Sequence, residues 1–292
     1  MISLFGNKYD ANTEFIFVCY SFITNIPIEI NQLTSLQKLN LGDNYIINIP
    51  VELCQLTSLK SLSLSDNKIT NIPKELCQLT SLIFLNLNNN KITNIPIKIF
   101  QLTSLQKLYL SNNKITNIPI EIGQLTSLEY LGIHHNKITN IPKEIGKLTS
   151  LLILDLYSNQ ITNIPIEICQ LTSLHKLRLS NNLIKNIPKE IDKLISLEYL
   201  GLIHNKITSI PKEISSLTSL SRLGLRDNPL PIKFTQLANN LNDVLIYLTK
   251  LEKSTKDIQR IKIAFWTYYK WIERSEQYNY EPELETTLSI EI

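Results

Sequence analysis

Leucine and isoleucine recur at fixed positions along most of this chain, and the pattern repeats every 23 residues. Residues 102–124, LTSLQKLYLSNNKITNIPIEIGQ, show one complete copy. A fixed period of this length indicates a solenoid, in which each copy buries its apolar face against its neighbours. Successive copies begin, with no insertion or deletion, at Leu33, Leu56, Leu79, Leu102, Leu125, Leu148, Leu171, Leu194 and Leu217.

Each half of the copy predicts a different element. The alternating segment Leu-Tyr-Leu at 108–110 predicts a short strand with two side chains inward and one outward. Asn113 follows at a position that is Asn in every copy, and its amide can both donate to and accept from the backbone where the chain turns. Pro119 suits the first position of a helical turn, and Glu121 favours the positive end of that turn. We therefore predict parallel strands on a concave face and short helical turns on the convex side.

The motif L-x-x-L-x-L-x-x-N-x-I resembles the leucine-rich-repeat family, and its nine copies cover about three quarters of the chain. The 23-residue length and the I-P-x-E-I half resemble the intracellular subgroup that includes the Ras-suppressor and SHOC-2-like proteins. This resemblance implies an α/β fold class: a leucine-rich-repeat solenoid, or horseshoe, with a parallel concave sheet and an α-helical C-terminal cap.

The repeat pattern also divides the chain. Residues 33–230 hold the nine repeats, and residues 1–32 form a degenerate capping repeat in which Ser21 replaces the Asn. Beyond 230 the pattern gives way to helical spacing, which predicts a helical cap at 231–275. Residues 276–292 contain five Glu and no Lys or Arg, so we expect a flexible acidic tail.

Charge and cysteine usage favour a cytoplasmic protein. The net charge of +3 lacks the strong basic excess of nucleic-acid binders. Cys54, Cys77 and Cys169 share one position of the repeat, which fits buried, reduced thiols. The N-terminus lacks the order of a signal peptide, and the apolar segment 14–23 is too short to span a membrane. We expect a monomer that binds neither membranes nor nucleic acid.

The variable strand positions are where a binding function can lie, because the Leu, Ile, Asn and Pro columns are needed for folding. Tyr and Arg, the residue types enriched at binding hot spots, occupy these positions in the fourth to ninth copies. The alternative is neutral variation, since Tyr is also a favoured strand residue. The predicted partner-binding residues are Tyr109, Tyr130, His134, Asp155, Tyr157, Lys176, Arg178, Tyr199, His204, Arg222 and Arg226.

The sequence offers little chemistry for catalysis. It contains no P-loop, HExxH, GxSxG, GxGxxG or EF-hand pattern. His134 and Asp155 lack an activated nucleophile beside them, and the histidines are too dispersed to share a metal. We therefore predict no enzyme activity, no metal and no cofactor. A column of Lys residues after the Asn could attract acidic partners, but a solvated edge is the favoured interpretation.

These observations predict a protein-interaction scaffold or adaptor that holds a protein partner on its concave face. The subgroup resemblance implies a signalling partner such as a small GTPase. The alternative is a substrate-recognition arm whose enzymatic activity lies in the C-terminal segment. The aromatic segment 264–272 either packs on the cap or docks a partner, and the acidic tail could fold onto the basic end of the concave face.

Overall fold

The repeats form one parallel sheet. A computed structural model describes residues 1–230, and within them the strands follow chain order. A two-stranded hairpin precedes a sheet of ten strands. The hairpin strands are β1 (Ile2–Leu4) and β2 (Asn7–Tyr9), and the sheet strands are β3 (Phe15–Phe17), β4 (Lys38–Asn40), β5 (Ser61–Ser63), β6 (Phe84–Asn86), β7 (Lys107–Tyr109), β8 (Tyr130–Gly132), β9 (Ile153–Asp155), β10 (Lys176–Arg178), β11 (Tyr199–Gly201) and β12 (Arg222–Gly224).

The constant repeat length sets the strand register. Leu108 in β7 pairs with Leu131 in β8, and every other neighbouring pair is aligned in the same way. Each central Leu is buried, while the first and third residues of the strand face outward. Stacking therefore creates one continuous leucine and isoleucine core, and the leucine-rich-repeat solenoid predicted from the sequence is confirmed.

The Asn side chains bond to backbone groups at the turns, as predicted, and together they form a ladder along the repeats. Asn136 donates from Nδ2 to the carbonyl oxygens of Leu110, Ile133 and His134 at 2.9, 3.1 and 3.2 Å. Its Oδ1 accepts from the backbone N–H of Ile115 at 2.9 Å, so one side chain joins two consecutive repeats. The residue before each ladder Asn has a φ between 51° and 57°. Asp, Asn, His and Ser fill this left-handed position, which Asn, Asp and His tolerate better than most residues.

The predicted helical turns are short 3-10 helices. Pro119 lies immediately before its helix rather than at the first helical position, with extended backbone and a carbonyl that accepts from Ile122 N–H at 3.1 Å. Glu121 lies in the first turn, as predicted. The helices in residues 1–230 are Ile28–Gln32, Leu53–Gln55, Lys74–Gln78, Ile97–Gln101, Ile120–Gln124, Lys143–Lys147, Ile166–Gln170, Lys189–Lys193 and Lys212–Ser216. None of them is long and apolar enough to cross a membrane.

The N-terminal end contains a feature that the sequence analysis did not predict. The β1–β2 hairpin turns at Phe5 and Gly6, both with positive φ, and buries Leu4 in the core, where β1 contacts the 3-10 helix Ile28–Gln32. The capping repeat then contributes β3 to the sheet. The predicted helical cap at 231–275, the aromatic segment 264–272 and the acidic tail at 276–292 lie outside the described residues.

The four cysteines are free thiols. Cys54 and Cys169 are buried, as predicted, and burial raises the pKa of Cys54 to about 12 and that of Cys169 to about 11. Cys77 occupies the same repeat position but is only half-buried, so the prediction of a buried thiol is wrong there.

Candidate functional site

The register arranges the variable positions of the repeats in rows across the concave face. Lys107 lies beside Tyr130, and Tyr109 lies beside Gly132. The first residues of the strands make one row and the third residues make a second row. A third row, two residues further on, includes His134 and Tyr157. The sequence-predicted residues therefore share one surface, although they divide into several separate clusters.

The first cluster is aromatic. The rings of Tyr109 and Tyr130 stack with centroids 4.5 Å apart and planes inclined by 25°. Phe84, from the preceding repeat, lies 5.3 Å from Tyr109. A Cβ atom at Gly132 would lie only 2.7 Å from Cε1 of Tyr130, so the tyrosine ring lies across that glycine. Three aromatic side chains from consecutive strands thus form one half-exposed platform.

The second cluster is charged and adjoins the first. Arg178 donates from Nη1 to Oδ2 of Asp155 at 3.1 Å. The Asp155 side chain is 4% exposed, and its Oδ1 also accepts from the backbone N–H of Tyr157 at 3.2 Å. The Arg178 side chain is 38% exposed, and its guanidinium lies 6.0 Å from the ring centroid of Tyr199. Tyr199 lies across Gly201, which repeats the arrangement of Tyr130 over Gly132. The buried carboxylate and the ring hold a partly exposed guanidinium between them.

The histidines lie beside this pair. The rings of His134 and His135 meet edge to face at 5.3 Å, and His135 meets Tyr157 in the same manner at 5.0 Å. Within residues 1–230, His134 Nδ1 is a buried side-chain atom without a hydrogen-bond partner. Burial lowers the pKa of His134 and outweighs the opposing effect of Asp155, so this imidazole is neutral at pH 7. In the same part of the chain, no three His, Cys, Asp or Glu side chains are grouped to hold a metal ion.

The last repeats carry a basic end. His204 Nε2 and Arg226 Nε both approach Oδ2 of Asp227, at 3.3 and 3.2 Å. Lys176 and Arg222 take first-row positions on either side of Tyr199. These residues continue the exposed surface but do not join the aromatic platform.

Sequence reasoning missed several residues of this surface. Phe84 lies at a variable strand position but is not among the predicted partner-binding residues. The roles of Gly132 and Gly201 depend on where a neighbouring ring lies, which no sequence pattern shows. A separate group of exposed aromatic residues lies at the opposite end, in the capping repeat and the first repeat. The available signal was that aromatic residues fill solvent-facing positions there: Phe15, Phe17, Tyr20, Phe22 and Tyr45.

Comparison with protein families matches residues 51–132 and 120–276 to the leucine-rich repeat region and residues 35–56 to a single leucine-rich repeat. A comparison with curated protein sequences finds no significant match.

Solved structures share the fold. A leucine-rich-repeat protein of Leptospira interrogans is 40% identical with a TM-score of 0.75, over 78% of this chain and 58% of that one. The plant peptide hormone receptor RGFR1, in complex with RGF2, is 37% identical with a TM-score of 0.66, over 71% of this chain and 35% of that one. The Arabidopsis receptor kinase HAESA, in complex with the peptide hormone IDA and the co-receptor SERK1, is 32% identical with a TM-score of 0.65, over 71% and 36%. The chain thus spans less than two thirds of each of these proteins. The family match over most of its length, together with the repeat geometry, shows that it belongs to the leucine-rich-repeat family.

Proposed function

We propose that this chain is a protein-binding module whose partner lies on the concave strip, defined as Phe84, Tyr109, Tyr130, Asp155, Arg178 and Tyr199. The observation that carries the proposal is the continuity of the aromatic platform with the Arg178–Tyr199 pair. Tyr and Arg dominate binding hot spots because each combines a large contact area with a polar group. None of these side chains contributes to the leucine core or to the Asn ladder.

The size of the strip fits a polypeptide. From β6 to β11 there are five strand intervals of about 4.8 Å, or about 24 Å in all. An extended peptide of about seven residues spans this distance. The peptide hormone receptor RGFR1 was solved in complex with RGF2, and HAESA was solved in complex with the peptide hormone IDA; these relatives support a polypeptide ligand for the present chain.

The cellular setting is a further part of the proposal. We place the chain in the cytoplasm, where a reducing environment keeps buried thiols such as Cys54 and Cys169 unpaired. The repeat resembles that of the Ras-suppressor and SHOC-2-like proteins, and a signalling partner such as a small GTPase rests on this resemblance alone. No enzymatic step is proposed for the repeats, and the chain itself is taken to be monomeric.

Affinity purification with mass spectrometry tests the strip. One variant combines Tyr109→Ser with Tyr130→Ser, because Ser63 and Ser61 already fill the equivalent positions of an earlier repeat. A second tests whether the basic end beside the strip contributes, and combines Arg222→Glu with Arg226→Glu, which leaves the buried Asp155 with its Arg178 partner. The matched control for charge, Lys98→Glu with Lys143→Glu, changes exposed residues on the 3-10 helices.

We expect the unmodified chain and the control to recover the same partner protein in equal amounts. The tyrosine variant should recover at least about tenfold less of it. The arginine variant should weaken recovery more at low salt than at high salt. Equal recovery by the tyrosine variant and the unmodified chain would refute binding on the concave strip.

A further inference from the structure

A cleft of about 280 Å³ opens at the N-terminal end of the sheet, on the capping repeat and the first two repeats. Its walls carry three aromatic rings and two carboxylates, and this N-terminal cleft is lined by Tyr20, Phe22, Asp43, Asn44, Tyr45 and Asp66. The cleft belongs to neither the core nor the concave strip.

The aromatic wall replaces a column of lysines. The position after the ladder Asn holds Lys68, Lys91, Lys114 and Lys137 in later repeats, but Tyr45 holds it in the first repeat and Phe22, after Ser21, holds it in the capping repeat. The Phe22 ring is 75% exposed and lies 5.9 Å from the Tyr45 ring. Tyr20, whose phenol hydrogen-bonds to the Asp43 side chain, is 77% exposed. The three aromatic side chains therefore remain exposed to solvent, although the Phe22 and Tyr45 rings lie close together.

The second wall is acidic. Asp43 and Asp66 occupy the left-handed position before the ladder Asn in adjacent repeats, so strand spacing separates their backbones by about 5 Å. Asn89 donates to Oδ1 of Asp66 at 2.8 Å, and the Asp66 side chain lines the cleft. The negative charge of Asp43, together with its hydrogen bond, raises the pKa of the Tyr20 phenol. The two carboxylates therefore act on the same space as the rings.

Asn44 also lines the cleft, but its polar atoms already hydrogen-bond to the backbone. Asn44 Oδ1 accepts from the N–H groups of Ser21 and Ile23, and its Nδ2 donates to three backbone carbonyls. Its polar atoms are fully used by the ladder. Recognition must come from the ring faces and the carboxylates, a combination that attracts cations and rejects anions.

The chain itself shows that a ring of this cleft accepts a cation. The Lys68 ammonium, from the following repeat, lies 4.2 Å from the centroid of Tyr45. Phe22, from the preceding repeat, also lines the cleft. A planar guanidinium suits this space better than an ammonium, since it can stack on an aromatic face while its edge donates to carboxylates.

We infer that the N-terminal cleft is a binding site for the arginine side chain of a polypeptide partner, held between the aromatic rings and the Asp43–Asp66 pair. The inference does not depend on the concave strip, because a small probe tests it in isolation.

The test is a titration of the full chain with N-acetyl-arginine amide, followed through the aromatic NMR resonances of Tyr20, Phe22 and Tyr45. N-acetyl-citrulline amide is the matched probe, since it has nearly the same shape without the charge. We expect saturable shifts with a Kd of about 1–10 mM for the arginine probe and at least tenfold weaker binding of the citrulline probe.

Two variants test whether the carboxylates and the aromatic rings of the cleft bind the probe. Asp43→Asn with Asp66→Asn uses the residue that Asn89 and Asn112 place at the same left-handed position, so the backbone is preserved. Tyr45→Lys uses the residue that later repeats carry in that column. Each should weaken arginine binding at least about tenfold. Glu121→Gln with Glu144→Gln, on the 3-10 helices, gives the same change in net charge as the double Asp variant and should leave binding unaltered.

Several results would overturn the inference. They are the absence of saturable shifts, equal binding of the citrulline probe, and unchanged affinity in the double Asp variant. Tighter binding of N-acetyl-lysine amide than of the arginine probe would contradict the choice of a guanidinium. Loss of binding in the glutamate control as well would show that net charge, and not the cleft, attracts the probe.

Discussion

Replacing one ladder asparagine tests how the repeats are joined. In Asn136→Ala, the backbone N–H of Ile115 loses its acceptor inside the core. The three carbonyls that Asn136 served each keep a second donor. Asn113 Nδ2 remains on Leu110 O at 3.1 Å, Asn159 Nδ2 on Ile133 O at 3.1 Å, and the N–H of Asn112 on His134 O at 2.9 Å. The substitution therefore leaves one buried donor without its acceptor, and it removes one donor from each of three carbonyls that keep another.

This accounting sets the size of the effect. An unsatisfied buried N–H costs about 1–3 kcal/mol, and a typical hydrogen bond contributes about 1 kcal/mol. Because each of the three carbonyls keeps one donor, the stabilisation lost at the carbonyls is less than that of three full hydrogen bonds. We expect the free energy of unfolding to fall by about 3 kcal/mol.

The matched control is Asn140→Ala, four residues along the same repeat. Asn140 is exposed, and its Nδ2 donates to Thr139 Oγ1 at 3.2 Å, a hydrogen bond within its own repeat. This change should cost less than about 0.5 kcal/mol. Urea denaturation followed by circular dichroism compares the two variants. Amide hydrogen exchange adds a local measurement, because the Ile115 N–H should exchange much faster in Asn136→Ala than in the unmodified chain.

A cost for Asn136→Ala within about 0.5 kcal/mol of the control would refute the ladder as the main polar link between repeats. So would unchanged protection of the Ile115 amide. A large cost with rapid exchange confined to the neighbouring repeats is the expected pattern, since contacts in a solenoid join only adjacent units.

Two further predictions follow from titration and burial. The pKa of His134 is lowered from 6.5, so the folded chain binds fewer protons than the unfolded chain, and the free energy of unfolding should fall as pH decreases through 6.5. His134→Asn, with the residue that Asn88 places in the same row, should lose less stability between about pH 7 and pH 5, and equal losses would contradict this account. Separately, iodoacetamide should modify the half-buried Cys77 of the folded chain well before Cys54 and Cys169, as measured by peptide mass spectrometry. Early modification of Cys54 would show that its core position opens without unfolding.

The repeated part of the fold follows from the sequence because each column has one physical task. A constant period aligns Leu108 with Leu131 and places Asn136 where it can reach the preceding repeat. Details that depend on local backbone geometry do not follow. Pro119 precedes its helix by one residue, because its extended ψ lets the carbonyl accept the first 3-10 hydrogen bond.

The N-terminal hairpin could not be predicted for a different reason. Strands β1 and β2 pair with each other, outside the repeat register, so periodicity gives no signal for them. Their turn places Phe5 and Gly6 at positive φ, where Asn-Gly or Asp-Gly would have been recognisable. The turn is therefore recognised from its backbone dihedral angles and not from a sequence motif.

At the candidate site, setting aside the structural positions of the repeat identifies some surface residues and misses others. Removing the Leu and Asn columns correctly leaves Tyr130 and Tyr199 on the surface, but it discards the glycines beneath them. The strand Tyr-Leu-Gly occurs at β8 and again at β11, three repeats or about 14 Å apart, and both rings lie across their own glycine. A ring held on the sheet has already lost rotamer freedom, so ordering it costs a partner little. The two glycines therefore help to prepare the surface for binding, and the spacing of the two rings favours a partner with two contact points about 14 Å apart.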